Sequence, residues 1–403
     1  NAFALPGGYV YVTRGLMAYM EDEADLAGVI GHEIGHVTAR HGAQRATRSQ
    51  DAGLGVLAAT VLGAVLESQG FAGAGQAASQ VSQTVASGYI ASYGREQELQ
   101  ADSLGAEYLS RSNYDPKNMV NVITALKNHE RFAADQARAE GRAAPASGSW
   151  LSSHPSNDQR LQSITQLAAQ YAGQRKSGYN DEGRSRYLQV ISGMAFGEGE
   201  AQGVTRGRQY FNEPLGIALT APFGWRIVND ADALTVINPG RDAGLIVKAV
   251  PPQAGRSHEE VIRNTLKPEQ GRSERLMLNG LQASRFVGVR RNAQGQMQDI
   301  EATVVSGPNN HLYLMVYSAR NPGALQFARR QLQEAHDSFR AISAAERAAA
   351  RPWVIQTVPY PRGGFAELAR RSPLEQAEQQ LRLINGYYGG AEPRPGQLVK
   401  TIE

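Results

Sequence analysis

Gly31-His32-Glu33-Ile34-Gly35-His36 sets two imidazoles four residues apart, with a carboxylate directly after the first. On a helix, four residues advance the chain by slightly more than one turn. His32 and His36 therefore project from one face and can hold the same Zn²⁺. Glu33 stands where it can take a proton from a water polarised by that metal. Such a water is already acidified to near neutrality, so the carboxylate needs position more than unusual basicity. With only 8 histidines in 403 residues, this pattern does not arise easily by chance.

A catalytic zinc takes three protein ligands and keeps one position open. The chain has no cysteine, so thiolate ligands and disulfides are excluded and the third ligand must be histidine or carboxylate. His41, nine residues after His32, is half a turn out of phase on a continuous helix and is expected to face away. Ala39 and Gly42 stand where a metzincin would carry its glycine and third histidine. What remains is a carboxylate from another helix. Arg95-Glu96-Gln97-Glu98-Leu99-Gln100-Ala101-Asp102 supplies one in Glu98. Asp102 lies one turn along the same face, where it can orient a ligand histidine.

Gly31–His36 continuing to Arg40-His41, together with Arg95-x-x-Glu98-x-x-Ala101-Asp102-x-x-Gly105, resembles the gluzincin family of HtpX and the CAAX prenyl proteases. The opening Asn1–Gly15 is similar to the soluble, exported branch of that family, the BepA-like periplasmic proteases. The resemblance covers about residues 1–170. It implies one catalytic Zn²⁺ on His32, His36 and Glu98, Glu33 as base, polypeptide substrates and peptide hydrolysis. It also implies an exported, periplasmic protein whose signal segment lies upstream of Asn1. Tyr9, Val10, Tyr11 and Val12 would form an edge strand that aligns substrate by β-addition. Ser153-His154-Pro155-Ser156 followed by Arg160 resembles the family's later His-Pro…Arg element. Two roles are then open to His154: donor to the oxyanion, or removable fourth ligand that shuts the site. Arg160 would act beside the ligands, not on the metal.

Several elements must position these groups. Thr13 can cap a helix over Arg14–Met20, and Asp22 a second that carries Leu26, Val29, Ile30, Ile34 and Val37 at helical spacing to about Arg45. Further helices are expected over Arg95–Ser112, from the Asn113–Pro116 turn to about Gln136, and over Asn157–Tyr171, with a flexible loop over Ala137–Ser149. Between Ala52 and Gly94 the only charge is Glu67, which suggests an apolar helical hairpin. Such a hairpin is either core, a lid, or a surface for a membrane or an outer-membrane assembly partner. No apolar run reaches the roughly 20 residues of a bilayer span.

At 403 residues the chain exceeds a single core and should divide into several domains. The expected class is α+β. Residues 1–172 read as a mostly helical zincin metalloprotease domain with a small edge β-sheet, and 173–208 as a connector. Residues 209–343 hold short β-like runs closed by a helix over Pro322–Ala341. Tyr210–Ile217 and Pro222–Trp225 there resemble the opening of α/β sandwich domains of the PsbP/MOG1 type. Residues 352–403 resemble a βααβ LysM module, with Gly363-Gly364-Phe365 in place of the usual Gly-Asp-Thr, which implies peptidoglycan as a partner. A net charge of +3 without a dense basic run argues against nucleic acid. A reading from another class is an envelope assembly or binding factor with a largely structural zinc. The intact Glu33 favours the enzyme, since a structural site needs no base.

Overall fold

The computed structural model describes residues 1–5, 7–48, 93–139, 141, 154, 158–171, 183–230, 233–291 and 297–403. The hairpin expected over 52–94 and most of the loop over 137–149 lie outside the described residues. The chain divides into two compact units, Asn1–Phe196 with Val354–Glu403, and Gly197–Trp353. Helices and sheets are mixed, as the α+β class requires.

The first unit opens with β1 (Ala2–Leu5) and β2 (Tyr9–Val12), an antiparallel hairpin. It turns at Gly7 and Gly8, whose φ values of 98° and 85° suit glycine alone. Thr13 caps α1 (Arg14–Tyr19), its hydroxyl accepting from the Leu16 N–H at 3.3 Å. Asp22 caps α2 (Glu23–Thr38) by accepting from the Asp25 N–H at 2.8 Å. α2 stops short of the expected Arg45. Arg40 takes a left-handed φ of 56°, and a separate helix, α3 (His41–Arg48), begins after it. α4 (Arg95–Arg111), α5 (Lys117–Ala139) and α6 (Asp158–Tyr171) follow. The stretch read as a connector holds α7 (Arg184–Ile191), because Tyr187, Leu188 and Ile191 give it an apolar face that is buried.

Ala106, Leu109, Met119, Ile123 and Ile164 make the apolar core between α4, α5 and α6. α2 packs on α4 through glycine. A Cβ on Gly31 would lie 2.9 Å from Leu109 Cδ1, and one on Gly35 2.9 Å from the Ala101 carbonyl oxygen. From the other side, a Cβ on Gly105 would lie 3.1 Å from the His32 backbone nitrogen. Asn118 at the start of α5 donates to Asp25 Oδ1 at 2.8 Å and Asp22 Oδ1 at 3.2 Å, which fixes the N-terminal end of α2.

The second unit contains two antiparallel sheets. One joins β3 (Val204–Arg206), β4 (Gln209–Asn212), β5 (Ile217–Thr220) and a late strand, β13 (Arg340–Ala341), in the order β13-β5-β4-β3. The larger uses β6 (Arg226–Asn229), β7 (Leu234–Ile237), β8 (Ala243–Ala249), β9 (Gln270–Leu278), β10 (Leu281–Arg291), β11 (Met297–Ser306) and β12 (Leu312–Ala319). Their order is β6-β7-β8-β12-β11-β10-β9, so β9 forms one edge. Alternate residues bury on opposite faces. Leu245, Val247, Val305 and Met315 meet Leu332, Ala335 and Phe339 from the region of α9 (Pro322–Asp337). Phe286, Ala302, Val304 and Leu314 meet Val261, Ile262 and Leu266 from the one-turn helix α8 (His258–Val261) and the π-turn after it.

The final stretch returns to the first unit. β14 (Ile355–Pro359), α10 (Gly364–Ala369), α11 (Ala377–Ile384) and β15 (Leu398–Ile402) follow in that order, with β14 antiparallel to β15. Lys400 of β15 is fully buried. Its ammonium donates to the carbonyls of Met20 at 2.7 Å and Ala18 at 3.0 Å, and to Glu21 Oε1 at 3.1 Å. Arg184 of α7 pairs with the same Glu21 carboxylate and donates to the Leu398 carbonyl at 3.1 Å. The residue just before the cap of α2 is thus gripped from both α7 and β15. Among the described residues, no helix is long and apolar enough to cross a membrane.

Removing the Lys400 ammonium would leave the Met20 and Ala18 carbonyls without their buried donor and Glu21 with Arg184 alone as its ion-pair partner among the described residues. Lys400→Ala should therefore destabilise the first unit by about 3 kcal/mol. Denaturant unfolding would measure this. A change below about 0.5 kcal/mol, the usual range for a surface site, would refute it.

Candidate metal centre

α2 delivers His32, Glu33 and His36, and the first turn of α4 delivers Glu98, because glycines at the helix crossing let the two axes approach. All four side chains are buried, as are Asp102, His154 and Arg160. His32 Nε2 and His36 Nε2 face each other at 3.0 Å. Glu98 reaches both, with Oε2 3.5 Å from His32 Nε2 and Oε1 3.4 Å from His36 Nε2. His154 enters from outside these helices. Its Nδ1 lies 3.1 Å from Glu98 Oε1 and 3.2 Å from His32 Nε2, and its Nε2 lies 3.4 Å from Glu33 Oε1. One ligating atom from each of His32, His36, Glu98 and His154 falls within 4.8 Å of all the others.

Behind this cluster, Asp102 Oδ1 lies 2.9 Å from His32 Nδ1, leaving Nε2 directed at the cluster. Arg160 grips Asp102 with both faces of its fork, Nε donating to Oδ2 at 2.8 Å and Nη2 to Oδ1 at 2.7 Å. Its Nη1 reaches Glu98 Oε2 at 2.7 Å and donates to the His154 carbonyl at 3.1 Å. One guanidinium thereby ties together the third ligand candidate, the residue behind His32 and the backbone of His154. Burial by itself would weaken each of these charges, but their pairing prevails. The carboxyl of Asp102 is held below its ordinary range by His32 and Arg160, and Arg160 is raised by Asp102.

His36 is oriented by groups that the spacing argument set aside. His41 is not a ligand, yet its ring is fully buried and its Nδ1 lies 2.9 Å from His36 Nδ1. The continuous-helix phase does not apply to it, because the left-handed Arg40 separates α2 from α3. Its Nε2 in turn lies 3.0 Å from Gln100 Oε1. An amide oxygen only accepts, so His41 carries its proton on Nε2 and accepts on Nδ1. His36 then donates from Nδ1, and its Nε2 lone pair points at the cluster. Tyr93 stacks on the His36 ring at 3.8 Å between centroids. The Arg40-His41 pair at the end of the motif was the signal for His41; nothing in the spacing marked Gln100 or Tyr93.

These residues fit a divalent cation. Three buried carboxylates, Glu33, Glu98 and Asp102, share the cluster with one buried guanidinium, Arg160, which leaves an excess of negative charge around a set of imidazoles. The His36 pKa is pushed down to about 3, chiefly by burial, which favours the neutral ring that a metal binds. Burial also opposes a charge on His32, but Asp102 and Glu98 overcome it and raise its pKa. Burial would likewise raise Glu98, but His154 and His36 hold it far below the carboxylate range. A cluster of this kind favours positive charge. Its nitrogen and oxygen donors suit zinc and other borderline ions.

Tyr9–Val12 is one of the two strands of the hairpin, with Tyr9 and Tyr11 exposed. β1 and β2 both contact α2, the helix that bears the histidines.

Because outer groups that hold a ligand histidine are typically worth a factor of roughly 10–100 in metal affinity, His41→Ala should weaken metal binding by that factor. Competition against a chromophoric chelator would measure it. Affinity equal to the parent chain, in a variant of unchanged fold, would refute the orienting role.

Comparison with known proteins accords with the geometry. Residues 1–168 match peptidase family M48. The β-barrel assembly-enhancing protease of Yersinia pestis is 33% identical over 170 residues, which are 42% of this chain and 32% of that one. Its Escherichia coli K12 counterpart is 34% identical over 134 residues, 33% of this chain and 27% of that one. The mitochondrial metalloendopeptidase OMA1 of Schizosaccharomyces pombe is 32% identical over 165 residues, 41% of this chain and 42% of that one. The chain thus spans about a third of the length of the assembly-enhancing proteases it matches. Among solved structures, cyanobacterial PsbP from Synechocystis shows 15% identity and a TM-score of 0.24, covering 35% of this chain and 98% of that one. Residues 1–168, the segment that carries the HExxH element, Glu98 and the buried cluster they form, are thus similar to peptidase family M48.

Proposed function

We propose that the chain is a zinc-dependent endopeptidase that cleaves misfolded or envelope proteins in an exported, periplasmic setting, and that its resting state is closed. The observation that carries this reading is the convergence of His32, His36 and Glu98 beside a fully buried Glu33. A purely structural ion would need no carboxylate base next to it. The names of the relatives support the peptidase activity and a setting in which β-barrels are assembled.

His32, His36 and Glu98 would hold the zinc, which when bound would polarise the scissile carbonyl and acidify a water. Glu33 would remove that water's proton and pass it to the leaving amine. Asp102 and His41 would keep the imidazole lone pairs aimed at the ion, and Arg160 would hold Asp102 and Glu98 in register. The free edge of Tyr9–Val12 would take the substrate as an added strand.

The position of His154 favours the closing role over the oxyanion role. Its ring is buried between Glu98, His32 and Glu33, where water and substrate would otherwise have to enter. The βααβ order of 355–402 supports a LysM-like module, with peptidoglycan as its ligand, and the second unit would serve in binding or scaffolding.

Purified chain should carry one zinc, and His32→Ala, His36→Ala or Glu98→Ala should lose it; metal analysis showing stoichiometric zinc in all three would exclude this ligand set. Glu33→Gln should keep the metal and lower casein cleavage by a factor of about 10²–10⁴, the usual worth of a general base. Full activity in that variant would exclude the mechanism.

His154→Ala should raise basal proteolysis with zinc retained. A fall of roughly a hundredfold would instead assign it to the oxyanion. A rate equal to that of the parent chain would remove it from both roles.

A further inference from the structure

The larger sheet of the second unit carries polar residues where its own pattern calls for apolar ones. On the face packed by α8, alternate positions are Phe286, Ala302, Val304 and Leu314, and they are buried. Towards the β9 edge the same face changes character. In register, Arg275 of β9 faces Ser284 of β10, and Met277 faces Gln282. With Ser306 and Leu312 these residues floor a cavity of about 700 Å³, walled by Arg256–Glu259. α8 covers only part of the sheet, and the floor it leaves uncovered is the hydrophilic part.

His258 stands at the inner wall, with Nδ1 2.8 Å from Ser284 Oγ and Nε2 2.8 Å from Ser306 Oγ. Burial, helped by Arg275, lowers its pKa, so near neutrality it is an uncharged ring with one donating and one accepting nitrogen. The hydroxyl that accepts from the ring keeps its own proton to donate to something else. Arg256 and Arg275 both line the cavity, and neither guanidinium makes an ion pair among the described residues. Glu259 lines it too. The balance therefore suits a single carboxylate and is too weak for a polyanion.

β9 is also an edge strand of nine residues, exposed along most of its length. Its outer backbone groups can pair with an incoming strand. Arg275 and Met277 are two apart and point to the same face, into the cavity. We propose that this groove binds an extended polypeptide segment that adds to β9 and places a carboxylate on Arg275 and Arg256, with an apolar side chain two residues along on Met277. The site is independent of the metal centre and would give the second unit a capacity to hold acidic-apolar segments of a polypeptide.

The test is fluorescence anisotropy of the full chain with a dye-labelled, end-blocked Ser-Glu-Ser-Leu-Ser-Ser probe, its integrity followed by mass spectrometry. Saturable binding is expected. Replacing the glutamate of the probe by lysine, or combining Arg256→Ala with Arg275→Ala in the protein, should weaken it about tenfold. Alternate N-methylation of the probe should weaken it comparably, because it removes the strand-forming N–H groups. Both arginines are exposed, and an unchanged melting curve would verify that the double variant is folded. Equal affinity for the lysine probe, or for the double variant, overturns the proposal. So does undiminished binding of the N-methylated probe, and so does displacement of the probe by millimolar inorganic phosphate or a DNA oligonucleotide, which would make the groove a general anion site.

Discussion

The distance between α2 and α4 decides whether this chain can have a metal centre at all. A carboxylate from one helix and two imidazoles from another must reach a common point, and Glu98 has only a short side chain with which to do so. Gly31 and Gly35 on one helix, and Gly105 and Ala101 on the other, remove the β-carbons that would hold the backbones apart. Any side chain at Gly35 would meet the Ala101 carbonyl, which belongs to the helix backbone and cannot swing aside. The glycines lower helix propensity by up to about 1 kcal/mol each, and α2 recovers order through its Asp22 cap and the Asn118 bonds at its start. Local stability is thus given up at the crossing and restored at the end of the helix.

The close approach brings a second constraint, because polar groups at that crossing are dry. Every buried donor and acceptor must then find a partner inside the protein. Asp102 and Arg160 on one flank, and His41 and Gln100 on the other, answer this for His32 and His36 respectively. The two flanks differ in kind. Asp102 is anionic and raises the His32 pKa, whereas burial dominates at His36 and lowers its pKa. The two imidazoles are therefore unequal in basicity, although the sequence motif presents them as equivalent.

Much of this was legible in the sequence, and the limits have physical causes. HExxH and the Glu98–Asp102 pair are local, helix-periodic signals, and the positions of their side chains follow from 3.6 residues per turn. The strands around Leu234–Ile237 and Leu312–Tyr317 were visible as short, β-branched or aromatic apolar runs, which are also local signals. The packing of His41 against His36 could not be read from helix phase, because phase can be extended only along an unbroken helix and a left-handed arginine gives little warning of itself. β9 was missed because both of its faces are exposed over most of its length, so neither alternation nor apolarity marks it. α7 was read as linker because eight residues are too few to establish a period against a polar background.

Lys400 was not visible to any local reading, since its partners lie 379 to 382 residues away. Burying its ammonium is favourable only where carbonyls and a carboxylate are already arranged to receive it. Those acceptors are the end of α1 and Glu21, immediately before the cap of the helix that bears His32 and His36. Segments 379 to 382 residues apart therefore complete one another. Helices such as α4 and α5 rest on contacts near in sequence and can form early, whereas a pairing across nearly the whole chain pays its loop-closure entropy late. During synthesis from the N-terminus, the segment carrying His32, His36 and Glu98 emerges long before β15 exists. Until residues 398–402 arrive, the Glu21 carboxylate has, among the described residues, Arg184 alone as an ion-pair partner, and the backbone leading into α2 lacks its clamp from β15. The first unit is consequently one whose α2 helix is specified locally but secured only when β15 is in place.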